Sequence, residues 1–409
     1  MAAQEILALL EEVRVLSSLR EIVLSLLNLK NVFMAFSFNV NDVLPAVQFA
    51  SQVIAKKNSM PILDNVLLDV YAEKNQMFVT GSDMETEVKI PVPIINASED
   101  YHICVNASRF AKVLSRLSGL DLKIVVNAMD IRATYNGGDF TMAHEQTDAY
   151  PRMQMSDDER SVVDFDDSKP LSQGLKSTLF ATANDEIRPV MTGVYFDLAP
   201  SSLTFVGTDG RILVRNRFDC NFNETKSFIL PKKPATILQN LIARGVHDVK
   251  ITFNDKHVWI CSYTFSLTCR LIEGHYPNYN SVIPTHFNET AIISRDAILA
   301  AISRISVFAP DSELMVLSFT QNEGKVSLSC QDVDYSTSAE EKVDCEYVGG
   351  TMKIGLKVSL LDALLRSLDC EQILLKMDGA TRAVIVEPQG STQETPSTLT
   401  SLIMPMKID

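Results

Sequence analysis

Paired carboxylates are the first candidates for chemistry in this sequence. Asp83, Glu85 and Glu87 stand at alternate positions, so a strand here would gather all three on one face, as a metal-dependent or general acid–base site needs. No histidine or further acid stands beside them at ligand spacing, and the expectation is a solvated strand face. Asp209, within Gly207-Thr208-Asp209-Gly210-Arg211, reads as a tight turn rather than a catalytic acid, since Asp and Gly are turn formers. The six histidines (102, 144, 247, 257, 275 and 286) fall in different segments. A P-loop, G-x-S-x-G and H-E-x-x-H are all absent. Seven cysteines (104, 220, 261, 269, 330, 345 and 370) include no C-x-x-C pair. An odd count without framework spacing points to a reducing compartment, and against disulfides or a zinc site. The expectation is a protein with no catalytic residue, no cofactor and no metal.

The elements that hold these residues repeat. Leu67–Tyr71 leads to Met77–Asp83, Val194–Leu198 to Leu203–Asp209, and Leu314–Phe319 to Val326–Asp332. Each pair alternates apolar and polar residues across a polar turn and ends on Asp, the pattern of a hairpin, and the three Asp residues lie about 125 positions apart. A second feature keeps that offset: Val105–Arg109, Leu230–Pro234 and Leu356–Ser359 each end a strand and open a helix, over 108–117, 233–243 and 358–368. Hairpins follow at Lys123–Tyr135, Val249–Trp259 and Gln372–Val386. Amphipathic helices at 42–54, 170–183 and 294–307 precede the first hairpins, with Asn41, Ser168 and Ser294 near their N-caps. The fold class is therefore α+β: three tandem copies of a unit with two helices on antiparallel sheet. The copies run 34–160, 161–285 and 286–409, with the acidic stretch Ser156–Arg160 and then Ile283–His286 at the junctions. Residues 1–33 read as a charged amphipathic helix outside the repeats, too charged to span a membrane and without a signal-peptide pattern. The preferred reading takes Met34 as the natural start, and a partner-binding helix is the alternative.

With 409 residues, 46% of them apolar and 22% charged, the chain has the length and balance for several globular domains. Its formal charge of −14 argues against nucleic acid until the bases are located. The second helix of each copy, with the turn that opens it, carries Arg109, Lys112, Arg116, Lys232, Lys233, Arg244, Lys357 and Arg366 against the single acid Asp362. Helix propensity explains basic residues on solvated faces but not the avoidance of equally helix-forming acids. Lys56, Lys57, Lys176, Arg188, Arg295 and Arg304 accompany the first helices. Three repeated basic helices in an acidic chain point to phosphate contacts, which fix position without reading sequence.

Several segments carry a resemblance: Met60–Leu68, Thr80–Glu85, Thr208–Arg211, Glu273–Tyr279 and Ile403–Lys407 are similar, in this order, to the bacterial beta sliding clamp, the beta subunit of DNA polymerase III. The match covers 34–409 and leaves residues 1–33 outside. It implies a head-to-tail homodimer, six domains in a ring with helices inside and sheet outside. Twelve helices about 9 Å apart make a circle roughly 34 Å across, wide enough for a duplex of about 20 Å, whereas six make about 17 Å. It also implies DNA contacts from Lys57, Arg188, Lys232 and Lys233, with Asp185 an awkward neighbour. A partner-peptide pocket would be lined by Met191, Thr208, Gly210, Arg211, Leu213, Pro277, Val282, Tyr347, Met404, Pro405 and Met406, where flexible Met suits several short apolar motifs. Arg211 and Ile212 depart from the family's usual pair there. At the ring joint Met142 would pack on Val307 and Phe308 of the neighbouring subunit. Implied partners are double-stranded DNA, a second copy, the polymerase, an ATP-driven clamp loader and repair proteins, in the cytoplasm. Two other readings stay open: a scaffold with no DNA role, and a nuclease working through Asp83.

Overall fold

The computed structural model describes residues 35–55, 57–153, 160–185, 187–220, 222, 225–391 and 396–408. The N-terminal segment, the junction acids Asp157–Glu159 and Lys56 therefore lie outside the described residues. The chain forms two compact units, one built on the described residues of Met1–Ser156 with Tyr263–Thr268, the other on those of Asp157–Ser262 and Cys269–Asp409.

In the first unit, β1 (Ala35–Asn39) buries Phe36 and Phe38 and runs into α1 (Val40–Val53). The Asn39 side chain caps that helix by accepting the Asn41 N–H. Asn41, the expected cap, sits inside the helix and accepts from Ser118 Oγ and the Gly119 N–H instead, which ties the start of α1 to a later loop. Strands β2 (Asn65–Tyr71), β3 (Gln76–Ser82), β4 (Thr86–Pro93), β5 (Asn96–Ala97) and β6 (Tyr101–Asn106) follow. Then come α2 (Ala107–Leu114), β7 (Asp121–Val126), β8 (Asp130–Tyr135) and β9 (Gly138–Glu145). Their sheet order is β4-β3-β2-β6-β9-β8-β7-β1-β5, and α1 and α2 pack on each other.

The second unit holds two further copies. The first has β10 (Ser161–Phe165), α3 (Lys169–Thr178), β11 (Gly193–Ala199), β12 (Ser202–Thr208), β13 (Ile212–Asp219) and β14 (Lys226–Pro231). It continues with α4 (Lys232–Ile242), β15 (Val249–Phe253), β16 (His257–Ser262) and β17 (Phe265–Arg270), of which Phe265–Thr268 groups with the first unit. The other has β18 (Glu289–Ser294), α5 (Arg295–Ile305), β19 (Leu314–Phe319), β20 (Lys325–Asp332), β21 (Thr337–Val348) and β22 (Met352–Lys357). It ends with α6 (Val358–Ser367), β23 (Cys370–Met377), β24 (Val384–Ser391) and β25 (Ser397–Ile403). One twelve-stranded sheet, β14-β11-β12-β13-β25-β24-β23-β18-β21-β20-β19-β22, joins them through the antiparallel pair β13–β25. The fold class is the expected one, and each helix begins within two residues of its expected start, but α3 stops at Thr178, five residues short of the expected 183, where a short turn over Leu179–Ala181 follows.

The repeated Asp has a physical reason. Asp83 Oδ1 accepts the N–H groups of Glu85 and Thr86, Asp209 Oδ1 those of Arg211 and Ile212, and Asp332 Oδ1 those of Asp334 and Tyr335. In each copy the carboxylate caps the turn after the first hairpin. This corrects the reading of Asp83, Glu85 and Glu87 as one strand face. Asp83 and Glu85 belong to the turn, and only Glu87 lies in β4, half-buried and accepting the Met153 N–H. The nuclease reading loses its row of carboxylates. Two residues before this Asp, a Cβ on Gly81 would stand 2.1 Å from the Ala50 carbonyl oxygen, and one on Gly207 2.2 Å from that of Thr178. Glycine there lets α1 and α3 rest directly on the sheet. The third copy has buried Cys330 at that position.

Candidate nucleic-acid interface and peptide pocket

α2 begins at Asn106, whose side chain accepts the Arg109 N–H, and it buries Ala107, Phe110 and Leu114. That seating turns Arg109, Lys112 and Arg116 outward at spacings of three and four, along one face. All three are exposed, as is Lys57, and among the described residues none of the four side chains makes an ion pair. In the second unit the helices pack side by side in the order α4, α3, α6, α5, so the basic residues of two copies belong to one helical layer.

The remaining candidates are less free. Lys232 opens α4 half-buried, its Nζ donating to Asn184 Oδ1 at 2.7 Å and facing the Thr182 carbonyl at 3.5 Å. Burial pulls its pKa down, against the upward pull of Asp209. It fixes the loop after α3 as well as offering charge. Lys233 is half-buried and has a partner, and Arg244, exposed beyond the end of α4, has one too. Lys357 lies 3.7 Å from Glu313, and Arg366 pairs with Asp362 at 2.8 Å one turn back. Arg188 faces Asp185 at 3.4 Å, and its guanidinium covers Gly210, where an added Cβ would stand 2.3 Å from Nη1. Arg188 thus belongs to the Asp209 turn as much as to the helical layer.

The residues expected to line a peptide pocket gather around that turn. Thr208 Oγ1 donates to the Ile212 carbonyl and accepts the Gly210 N–H, and Gly210 has φ +84°, a conformation open to glycine. The Arg211 carbonyl accepts the Met404 N–H at 2.8 Å, and two residues on Met406 donates to the Gly355 carbonyl at 2.8 Å. The tail is thus stretched between the second copy's turn and β22 of the third. Beneath it lies an apolar cluster of Val206, Leu213, Tyr279, Ile385 and Leu402, with Tyr195 and Tyr276 against it. Their rings stack at 4.5 Å and 3°. Met404 and Val282 stay exposed at 43% and 55%, apolar surface that water covers at a cost. Met191 donates its N–H to the Arg188 carbonyl, and Pro277 is exposed next to Tyr276. Tyr347 makes its contacts elsewhere, stacking on Phe319 at 4.8 Å and donating to the Gly350 carbonyl. Sequence reasoning missed Tyr195, Tyr276, Ile385 and Leu402. Tyr276 stood inside a recognised motif and Tyr195 lies opposite Val206 within the same copy, but Ile385 and Leu402 join them only through pairing across copies.

No group of three His, Cys, Asp or Glu side chains among the described residues is placed to hold a metal, and no helix there is long and apolar enough to cross a membrane. Models of the DNA polymerase III beta subunit match the chain three times: the N-terminal domain over 34–154, the central domain over 167–278 and the C-terminal domain over 280–407. The beta sliding clamp of Staphylococcus aureus (strain N315) is 26% identical over 382 residues, 91% of this chain and 97% of that one. The beta sliding clamp of Synechococcus elongatus is 26% identical over 376 residues, 90% and 98% of the two chains. Among solved structures, a Pseudomonas aeruginosa sliding clamp bound to griselimycin has a TM-score of 0.82 at 23% identity, covering 92% of this chain and 100% of that one. A Thermotoga maritima DNA polymerase III beta subunit reaches 0.81 at 20% identity, with 92% and 100% covered. From end to end of the repeats, this chain belongs to the DNA polymerase III beta subunit family, the bacterial beta sliding clamps.

Proposed function

We propose that two copies of this chain close head to tail around duplex DNA and serve as the sliding clamp of a replicative polymerase. The observation that carries this reading is the free basic face of α2: among the described residues the side chains of Arg109, Lys112 and Arg116 stand unpaired, in a chain of net charge −14. Charge gathered on one layer attracts the phosphate backbone without reading bases, so the ring is held and still slides. The clamp does no chemistry. It raises the effective concentration of a polymerase at the primer end, because a released polymerase rebinds before it diffuses away. Partners dock by short apolar motifs on the Met404–Met406 tail and the Leu213 cluster, and an ATP-driven loader opens the ring. The copies run 34–160, 161–285 and 286–409, and the protein works in the cytoplasm.

The internal joint supports closure through Met142, Val307 and Phe308. In the second unit Ala181, Ile212 and Ile403 share one core, with Phe180 packed against it. α5 is followed, like α3, by a short turn, here Ser306–Phe308, which puts Val307 and Phe308 where Phe180 and Ala181 stand. Val307 is 79% exposed and Phe308 38%, and Met142 occupies in β9 the place of Ile403 in β25. These are the halves of a core that a second copy completes.

Primer extension on loaded, singly primed circular DNA tests the proposal. Replacing Arg109, Lys112 and Arg116 together by Ala should shorten products per binding event and leave the dimer intact. Unchanged product length would refute α2 as part of the DNA face.

A further inference from the structure

Strand β13 carries charge away from the apolar cluster under the tail. Its alternate residues share the outer face, so Leu213, in the cluster, is followed there by Arg215 and Arg217, about 7 Å apart. Arg215 sits between Val206 on β12 and Thr400 on β25, and Arg217 between Thr204 and Thr398. Arg211, in the turn that opens the strand, is exposed as well. Among the described residues none of the three guanidiniums makes an ion pair or lies over a ring. Arg215 is half-buried and held by neutral oxygens, Nη1 donating to Asn280 Oδ1 at 3.0 Å and Nη2 to Thr400 Oγ1 at 3.2 Å. Its Nε is buried and reaches no acceptor there. Asp197, beyond Thr204 in the same row, accepts the Tyr279 hydroxyl instead, at 2.7 Å.

The other copies keep no such row. β4 and β21 take the place of β13 there, since Thr80 pairs with Lys89 and Ser329 with Glu340 as Val206 pairs with Arg215. The counterparts of Arg215 are thus Lys89, whose Nζ lies 4.4 Å from the centre of the Phe78 ring, and the acid Glu340. Those of Arg217 are Pro91 and Lys342, which pairs with Glu323 at 2.7 Å. Among the described residues, cations on this face are matched by a ring or a carboxylate except beside the apolar cluster. In a chain with 51 acids for 37 bases, three arginines without a carboxylate are a strong local inversion.

We infer that Arg215 and Arg217, with Arg211 on the other side of Leu213, bind an acidic stretch flanking the apolar motif by which a partner protein docks. The inference rests on the peptide-groove reading and deepens it. An extended peptide along β13 sets alternate side chains about 7 Å apart, the spacing of the two arginines, so acids two positions apart meet one guanidinium each. The arginine fork takes a carboxylate by two parallel hydrogen bonds, and a half-buried guanidinium draws it more strongly than one in open water. Phosphates carry the same charge, but a nucleic-acid backbone has nothing to set on Leu213 and Leu402. A peptide offers apolar and acidic side chains in one extended chain.

Fluorescence anisotropy with the full chain tests this, using two labelled peptides that share an apolar Leu-Leu-Phe end. One carries an Asp-Ser-Asp flank, the other Asn-Ser-Asn. The acidic peptide should bind the native chain roughly tenfold more tightly in low salt, and the advantage should shrink as salt is added. Arg217→Glu, which removes no hydrogen bond among the described residues, should abolish the advantage and leave the neutral peptide bound as before. Arg215→Gln with Arg217→Gln should do the same. Equal binding of the two peptides, or equal loss of both in Arg217→Glu, would overturn the inference and leave the groove standing. Binding of neither peptide by the native chain would overturn the groove reading, and the inference with it. A short oligodeoxythymidylate that binds the native chain more tightly than either peptide, but not the Arg217→Glu chain, would give the row to nucleic acid and overturn the inference.

Discussion

Asp69 is the most demanding single residue in the first unit. It is 1% exposed, and its Oδ1 receives both His102 Nδ1 at 2.7 Å and Arg152 Nη2 at 3.0 Å, while Oδ2 has no partner among the described residues. A buried carboxylate tolerates such a place only with its cation, so Arg152→Ala should cost roughly 2–4 kcal/mol in denaturant unfolding. Glu87 lies in the same region, and burial raises its carboxyl pKa above the usual value. The folded protein therefore binds that proton more tightly than the unfolded chain, so this contribution is present at low pH and lost as pH rises through the folded-state pKa. Glu87→Gln should accordingly raise the unfolding midpoint at pH 7 and do little near pH 4, as thermal melts at the two pH values would show. On the basic side, removing Arg109, Lys112 and Arg116 should lower the slope of log affinity against log salt by about 3, one for each phosphate no longer neutralised. At this scale the sequence was legible only in part. Residue type located the basic groups, but Glu313 near Lys357 and Asn184 under Lys232 are partners brought in from distant segments, and no local pattern reveals them.

At the scale of elements the reading was far more complete, because the repeat states each element three times. Hairpins, both helices of each copy and the Asp-capped turn all follow from alternation and turn chemistry. What stayed hidden was the pairing between copies, since β13 and β25 are separated by most of the third copy and their register leaves no local trace. Gly207 shows how tightly the elements fit: a Cβ would meet the backbone of α3, which cannot give way as a side chain does. Gly207→Ala should destabilise by about 2–3 kcal/mol, whereas Gly137→Ala, which meets nothing within 4 Å, should cost only the strain of its positive φ. The tail after β25 is a separable element. Deleting Met404–Asp409 removes the backbone links to Arg211 and Gly355 but no strand, so polymerase stimulation should vanish while the dimer persists. Undiminished stimulation would place partner docking elsewhere.

At the scale of the whole molecule, one chain supplies six helices among the described residues, and a circle of six is about as wide as the duplex it would have to enclose. Two chains supply enough. Net charge misleads here, since −14 describes the molecule's average while Arg109, Lys112 and Arg116 gather along one face of α2. The most direct test of enclosure is retention after loading onto a nicked circular duplex. The protein should stay with the circle through gel filtration in high salt and come off when one restriction cut linearises the DNA. Protein that remains on linear DNA with free ends, or leaves the intact circle at the same rate, would contradict a closed ring.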